Sequence, residues 1–252
     1  MSNIGIITIN NGRPQIFHLW CESIKRLRKE LQIEIPVIVV SGQEDKEMCN
    51  QYGIAHITQN NIPVTEKWNT SAQYMLDVGV EYILILGSDD IMSTECFKNI
   101  MIETNKDVDL IGLKKIYIYA TDGEMRGHLR CLTSKSFLGV GKTIGRRVFD
   151  ALNSKPWGNC VPRNFGTDAV LHRNISPHIQ TVAEVEGVVV DCKSKESLNK
   201  YTMFQGRHGQ ECNKDIFYNI LSKEELQILN SIRDTGLPVG FPRVHKRGRT
   251  LI

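Results

Sequence analysis

The sequence predicts an α/β protein in which a mostly parallel central sheet is flanked by helices. Within residues 1–105, four short apolar runs alternate with helical patterns, and polar residues follow each run. Continuous apolar runs are typical of strands buried on both faces, and strand–helix alternation gives a parallel sheet with helices on both sides. With 252 residues, 41% of them hydrophobic and 23% charged, the chain has the composition of a globular protein.

The first strand, first helix and second strand have the clearest patterns. Ile4–Ile9 is an uninterrupted strand-like run, and Pro14 then stands at the first position of a helix, where proline is best tolerated. The apolar residues of this helix recur at spacings of three and four: Ile16, Trp20, Ile24, Leu27 and Leu31. This spacing gives one apolar stripe, and Val37–Val40 predicts the next strand.

The following residues repeat the alternation. A short polar helix over residues 44–52 leads to a third strand over residues 54–57. A further helix has Thr65 as its expected cap, and the fourth strand is predicted over residues 82–86. Ser93 is the expected cap of the helix that follows it.

The pattern changes after about residue 112. The later elements are predicted as short strands near residues 110–112, 116–119 and 188–190, and as short helices over residues 144–152, 168–175 and 222–233. No repeat or linker is visible, so we expect one domain with two halves, residues 1–112 and an elaborated region of residues 113–252 that ends in a basic tail.

Charge is unevenly divided between the two halves. Residues 1–125 hold 11 basic and 17 acidic residues, a net charge of −6, whereas residues 126–252 hold 20 and 11, a net charge of +9. Residues 126–147 hold six basic residues and no acidic one. The asymmetry predicts an anionic partner for the second half, although a solvated basic face without a partner explains it equally well.

Membrane-spanning and disulfide-stapled proteins are excluded by other patterns. The longest apolar runs, residues 35–40 and 82–86, are too short to cross a bilayer, and no signal-peptide pattern opens the chain. The seven cysteines form no Cys-x-x-Cys pair, which indicates free thiols and no zinc site of the usual spacing. We therefore expect a cytoplasmic protein without a transmembrane segment.

The most informative motif is Gly87-Ser88-Asp89-Asp90, directly after the fourth strand. Ligands of open parallel sheets bind beyond the carboxyl ends of the strands, and adjacent carboxylates repel one another unless a cation lies between them. Magnesium and manganese take carboxylate oxygens and keep positions open for phosphates. The motif therefore predicts a divalent metal site. The alternative is that the aspartates only precede a helix, although Ser93 already serves as its cap.

Several segments together resemble inverting glycosyltransferases of the family 2 type, which have the GT-A fold. The strand and motif over residues 82–92 resemble the Asp-x-Asp region of that family. The other segments similar in order and spacing are the strand end Thr8–Asn10, then Lys67-Trp68-Asn69, Trp157-Gly158 and Thr167-Asp168. The resemblance covers about the first 105 residues well and residues 140–175 loosely.

The resemblance implies a metal-dependent, inverting transfer of a sugar from a nucleotide-sugar. Asp168 would be the general base that deprotonates the acceptor hydroxyl. The implied metal ligands are Asp90 and Asp89, with His208 as a candidate third ligand or else a surface histidine. The expected donor contacts are Thr8, Asn10, Arg13, Ser41, Lys67, Asn69, Ser88 and Asp89. The expected acceptor contacts are Arg126, Arg130, Arg146, Arg147 and Trp157.

The sequence departs from the family pattern at two places. Gly87 stands where the first aspartate of Asp-x-Asp falls in the simplest register; in the alternative register Ser88 stands there, and one carboxylate is missing in both. No acidic residue is evident directly after the second strand, where Ser41-Gly42-Gln43 stands. A third segment, residues 139–143, resembles the end of a phosphate-binding loop but lacks its first glycine and its strand, so we assign it to the acceptor side.

The acceptor has three competing interpretations. Some viral glycosyltransferases of this general kind modify hydroxymethylated bases of DNA, so such a base is our first hypothesis, with the enzyme acting in a host cytoplasm. The base would have to be flipped out of the duplex. A cell-surface glycan or a lipid-linked acceptor is the second interpretation. The third is a non-catalytic nucleic-acid-binding protein on a degenerate transferase scaffold.

Overall fold

The structure is a computed structural model that describes residues 3–60, 63–158, 166–195, 197, 200–204 and 209–232. The strands in these ranges are β1 Ile4–Ile9, β2 Val37–Ser41, β3 Ala55–Thr58, β4 Tyr82–Ile85, β5 Asp90–Met92, β6 Leu110–Gly112, β7 Lys115–Ala120, β8 Leu129–Thr133, β9 Thr143–Gly145, β10 Val182–Glu184, β11 Val189–Lys193 and β12 Gln210–Cys212. The α-helices are α1 Pro14–Leu31, α2 Lys46–Gln51, α3 Val64–Asp77, α4 Thr94–Thr104, α5 Arg146–Ala151, α6 Thr167–Ile175, α7 Asp215–Tyr218 and α8 Lys223–Ser231.

The main sheet has seven strands in the order β10-β6-β9-β4-β1-β2-β3. The pairs β1–β2, β1–β4, β2–β3 and β6–β10 are parallel, whereas β9 runs antiparallel to both β4 and β6. The predicted α/β class with a mostly parallel sheet is therefore confirmed. Because β9 is reversed, its first residue lies at the carboxyl edge of β4 and its last residue at the amino edge.

Helices cover both faces of this sheet because β1 is apolar on both sides. Ile4 and Ile6 join a buried cluster that includes the apolar stripe of α1, whereas Ile7 joins a second cluster. That second cluster contains residues of α3, α5 and α6, such as Met75 and Phe149. The two faces explain why the β1 run is continuous rather than alternating.

A second sheet of five strands, in the order β12-β8-β7-β11-β5, packs beside the main sheet. Its strand β5 begins at the second aspartate of the acidic motif and pairs with β11 in antiparallel register. β11 in turn pairs in parallel with β7. The sequence predicted some of these strands but not their assembly into a sheet.

The helix caps are partly as predicted. The Ser93 hydroxyl accepts a hydrogen bond from the backbone N–H of Cys96 at 3.1 Å, as predicted. Ser222, at the start of the helix predicted over residues 222–233, forms a capping box with Glu225. The expectation for Thr65 is wrong, because Thr65 lies inside the first turn of α3 and the capping position is Pro63.

Two further expectations are corrected in the second half. The helix predicted over residues 144–152 begins at Arg146, because residues 143–145 form β9. The helix predicted over residues 168–175 begins one residue earlier, at Thr167, and Gly166 occupies its capping position in a left-handed conformation. No helix in the described ranges has both the length and the apolar character needed to cross a bilayer. The six cysteines in these ranges are unpaired, as predicted.

Candidate functional site

Three carboxylates meet at the carboxyl edge of the main sheet. Asp89 and Asp90 follow β4 in a tight turn, and Asp191 joins them from β11. One oxygen of each carboxylate lies within 4.8 Å of an oxygen of the other two. We call these three residues the acidic cluster.

Strand pairing positions the third carboxylate. Asp191 is the Cα partner of Asp90 across the β5–β11 pair, and the backbone N–H of Cys192 donates to the Asp89 carbonyl oxygen at 2.7 Å. Position 87 supplies no carboxylate, because it is a glycine. The third carboxylate of the cluster comes instead from a strand about 100 residues later. The sequence patterns did not single out Asp191, whose signal is a charged residue directly after the apolar residues 188–190.

Two basic side chains neutralise much of the cluster. A guanidinium nitrogen (Nη1) of Arg13 lies 2.6 Å from Oδ2 of Asp89, and its other terminal nitrogen donates to the Ser88 hydroxyl at 3.3 Å. The ammonium nitrogen of Lys193 lies 2.6 Å from Oδ1 of Asp191 and 3.4 Å from Oδ2 of Asp89. Lys193 also went unnoticed in the sequence, although Arg13 was predicted.

The three carboxylates differ in how their charges are balanced. Burial opposes ionisation of Asp89, but the adjacent Arg13 and Lys193 hold its pKa well below the ordinary value. Burial and the nearby Asp191 and Asp89 raise the pKa of Asp90 well above its ordinary value. Burial also raises the pKa of Asp191, to about 6. The charge of the cluster is therefore incompletely compensated around Asp90.

Gly87 has a structural reason to be glycine. Its backbone N–H donates to Oδ2 of Asp90 at 2.6 Å, and a Cβ atom on Gly87 would lie only 2.6 Å from that same oxygen. A larger residue would therefore displace the Asp90 carboxylate. Glycine at position 87, which departs from the family pattern, therefore leaves room for the Asp90 carboxylate.

The acidic cluster could hold a divalent cation. Oδ1 of Asp90 is buried and has no hydrogen-bond partner among the described residues, so it is a carboxylate oxygen without a bound donor. Three carboxylates supply the hard oxygen ligands that Mg²⁺ or Mn²⁺ prefers. The residues therefore fit such an ion, with Asp89, Asp90 and Asp191 as its ligands.

A second polar group lies at the ends of β1 and β2. The Asn10 amide donates to Oδ2 of Asp45 at 2.8 Å, and the Lys67 ammonium donates to the Asn10 carbonyl oxygen at 2.7 Å. Burial lowers the pKa of Lys67 to about 8. Oδ1 of Asn10 and the hydroxyl of Thr8 are buried without a hydrogen-bond partner among the described residues. Asp45 is an acidic residue near the end of β2 that sequence analysis missed, because it lies four residues beyond Ser41.

The remaining predicted donor residues bind protein groups. The Ser41 hydroxyl lies 3.0 Å from a ring nitrogen (Nε2) of His56. The Asn69 side chain accepts from the Trp157 backbone N–H and donates to the Gly158 carbonyl oxygen, both at 3.1 Å. Asn69 therefore attaches the segment before α6 to α3.

Trp157, which was predicted to contact an acceptor, packs inside the protein in this structure. Its side chain is buried, with 2% of its surface exposed, and its ring stacks on Trp68 at 5.4 Å between centroids. Such a pair contributes to packing and offers no aromatic face to a ligand.

Asp168 lies at the same edge of the sheet as the acidic cluster. It occupies the first turn of α6, and its side chain is 60% exposed. The buried ammonium of Lys142 is 3.8 Å from one Asp168 oxygen, and the Lys142 carbonyl accepts from the backbone N–H of Ile85 at the end of β4. A Cβ atom at Gly139 would overlap the Asp168 carboxylate. Residues 139–143, which resemble the end of a phosphate-binding loop, thus lie against the Asp168 side chain.

The four arginines predicted for the acceptor lie in different parts of the structure. Arg146 and Arg147 follow β9 at the opposite edge, where Arg146 donates to the Leu76 carbonyl oxygen and Arg147 pairs with Asp109. They therefore lie away from the edge that holds the acidic cluster, because β9 is antiparallel to β4 and carries them away from Lys142.

The other two arginines bind backbone carbonyls in the second sheet region. Arg126 donates to Asn230 and Arg130 to Gly209, each at 3.0 Å. Arg130 also lies over the ring of Tyr201. His208 and the basic tail lie outside the described residues.

Comparison with known proteins adds information about the fold. No family model and no curated protein matches the sequence. The structure is similar to S. aureus TarS 1–349, with a TM-score of 0.54 and 11% identity over 76% of this chain and 60% of that one. It is also similar to S. aureus TarS 1–349 in complex with UDP, with a TM-score of 0.52 and 11% identity over 91% of this chain and 70% of the other.

The chain shares the overall fold of these TarS structures. At 13% identity and a TM-score of 0.54, a longer S. aureus TarS structure matches 76% of this chain, which covers 37% of the TarS chain. The chain thus spans three fifths or less of two of these TarS structures. At such identities the similarity shows the fold alone. In open parallel sheets generally, ligands bind beyond the carboxyl ends of the strands, which is the edge described above.

Proposed function

We propose that this protein transfers a glycosyl group from a nucleotide-sugar to an acceptor hydroxyl. The observation that carries the proposal is the position of the acidic cluster, at the end of β4 in a nucleotide-sugar transferase fold. Similarity to a UDP-bound structure supports a nucleoside diphosphate as the donor's leaving group. Asp168 at the same edge supplies a second, separate carboxylate.

The donor diphosphate would lie against the acidic cluster and its two basic neighbours. Mg²⁺ or Mn²⁺ held by Asp89, Asp90 and Asp191 would stabilise the charge that develops on the departing diphosphate. Arg13 bonds both Ser88 and Asp89, so it fixes the turn after β4 in the conformation that faces the donor. Asn10 and Asp45 would contact the nucleoside, because they hold buried polar atoms at the adjacent strand ends.

Asp168 is the proposed general base. Its exposed carboxylate can reach an acceptor hydroxyl and accept the proton as the oxygen attacks the sugar. The Lys142 ammonium, 3.8 Å from one oxygen of this carboxylate, is the basic group that lies beside it. Direct displacement by the hydroxyl would invert the configuration at the anomeric carbon.

The test of donor use is a thermal-shift and hydrolysis assay across a panel of nucleotide-sugars, with Mn²⁺, Mg²⁺ or chelator. We expect one nucleotide-sugar to stabilise the protein and Asp168→Asn to bind it with unchanged affinity. The same variant should lower kcat for transfer by about 10³-fold, because the general base is lost. Absence of stabilisation by every donor would contradict the proposal and favour a non-catalytic binding protein.

We propose a hydroxymethylated base in DNA as the acceptor. The net charge of +9 over residues 126–252 supports this acceptor, whereas Arg146 and Arg147 do not, because they do not face the site. Affinity for DNA should then fall steeply as salt rises, because each phosphate contact releases counterions. Binding that ignores salt would exclude this acceptor, and binding to anionic vesicles would favour a lipid-linked one.

A further inference from the structure

The position of Lys193 in the acidic cluster has a consequence for cation binding. Asp191 and Lys193 are two residues apart on β11, so their side chains project from the same face of the strand. Pairing with β5 places Asp90 opposite Asp191, and the Lys193 ammonium reaches both Asp191 and Asp89. The pairing of β5 with β11 therefore places the Lys193 ammonium beside the carboxylates that would bind a metal.

The contact is close and enclosed. The ammonium is 2.6 Å from Oδ1 of Asp191, and the Lys193 side chain is only 9% exposed. A divalent ion bound to that oxygen would compete with the ammonium for the same lone pairs and would be repelled by it at short range. With three carboxylates, Lys193 and Arg13 all ionised, the net charge is −1, which is a weak attraction for a dication.

We propose that Lys193 is a resident counter-ion of the acidic cluster and that a divalent ion can bind there only by displacing its ammonium from Asp191. This inference rests on the proposed function only because it takes a divalent ion as the ligand of the acidic cluster. In the metal-free protein, Lys193 compensates part of the negative charge of the three carboxylates, through Asp191 and Asp89. It also sets the metal affinity of the site below that of the same carboxylates without a lysine.

The experiment measures Mn²⁺ binding to metal-free protein by electron paramagnetic resonance of the free ion, without any donor or acceptor. We expect Lys193→Met and Lys193→Gln to bind Mn²⁺ at least about tenfold more tightly than the unchanged protein, because the competing charge is removed. Lys195→Met is the matched control, since it removes an exposed lysine two residues along the chain. Its Mn²⁺ affinity should stay within about twofold of the starting value.

A second variant separates charge competition from a change in folding. Lys193→Met leaves buried carboxylates without their counter-ion, so its metal-free form should melt at a lower temperature and recover with saturating Mn²⁺. Lys193→Gln retains a hydrogen-bond donor and serves if the methionine variant does not fold. Asp191→Asn combined with Lys193→Met should restore the melting temperature and lose the gain in Mn²⁺ affinity.

Unchanged or weaker Mn²⁺ binding in folded Lys193→Gln would overturn the proposal. Absence of saturable Mn²⁺ binding in every variant would do so as well. Neither result bears on whether the protein binds a nucleotide-sugar, which the thermal-shift panel decides. Failure of this proposal and failure of the proposed function are therefore distinguishable.

Discussion

The two edges of the main sheet each hold a buried aspartate, and the two differ in how completely they are bonded. At the amino edge, Asp109 accepts hydrogen bonds from Arg147, from the backbone N–H groups of Gln180 and Thr181, and from the Thr181 hydroxyl. At the carboxyl edge, Asp90 accepts from the Gly87 N–H, and its other oxygen has no hydrogen-bond partner among the described residues.

The pKa values follow this difference in opposite directions. Burial would raise the pKa of Asp109, but the hydrogen bonds from Arg147 and the two backbone N–H groups lower it to about 2. Burial and neighbouring carboxylates raise the pKa of Asp90 well above its ordinary value. A buried carboxylate whose oxygens all accept hydrogen bonds stabilises the fold, whereas a buried carboxylate with a free oxygen is suited to bind a ligand.

The largest stability effect is expected at the amino edge. Asp109→Ala removes the acceptor of two backbone N–H groups and of Arg147, so the free energy of unfolding should fall by about 3 kcal/mol. Urea denaturation measures this change. Asp107→Asn is the control, because Asp107 also pairs with Arg147 but its side chain is 86% exposed, and asparagine tolerates the left-handed backbone at this position. This change should cost less than about 0.5 kcal/mol. Equal losses in both variants would contradict the structural role of Asp109.

The second prediction concerns acid. Because folding lowers the pKa of Asp109, the unfolded chain binds this proton first as pH falls. The contribution of Asp109 to stability should be fully present above about pH 4 and decline as pH falls toward 2. The difference in unfolding free energy between the unchanged protein and Asp109→Asn, measured from pH 5 to pH 2, should shrink accordingly. A constant difference across that range would show that Asp109 does not carry its charge in the folded protein.

The smallest stability effect, with the opposite sign, is expected at the carboxyl edge. Asp90→Asn removes a carboxylate crowded by Asp89 and Asp191, so the free energy of unfolding should stay unchanged or rise by less than about 1 kcal/mol. Thermal and urea denaturation of the metal-free protein measure it. Destabilisation as large as that of Asp109→Ala would remove the distinction between the two edges.

The sequence predicted the elements whose signals are local. Continuous apolar runs located β1 to β4, and the hydroxyl groups of Ser93 and Ser222 located the starts of α4 and α8. Strands of three residues such as β9 carry too little pattern, and the short apolar sequence before Arg146 fits a helix equally well.

The candidate site was predicted only where its residues follow the parallel strands. Asp89, Asp90 and Asn10 were found because each stands directly after a buried run. Asp191 and Lys193 come from a distant strand whose register with β5 is set by tertiary packing, which no local pattern contains. The acceptor arginines were assigned from their proximity in sequence, but a reversed strand separates Lys142 from Arg147 in space.

β9 also determines when the two groups of parallel strands in the main sheet can be joined. It joins two groups of parallel strands, β3-β2-β1-β4 and β6-β10, by pairing with β4 on one side and β6 on the other. Until residues 143–145 have left the ribosome, the edges of β4 and β6 have no strand between them, and unpaired edges invite association with other chains. β4 ends at Ile85 and β9 at Gly145, so the edge of the strand that precedes the acidic cluster stays unpaired while the 60 residues from 86 to 145 are synthesised, and a chaperone that shields it would act at that stage.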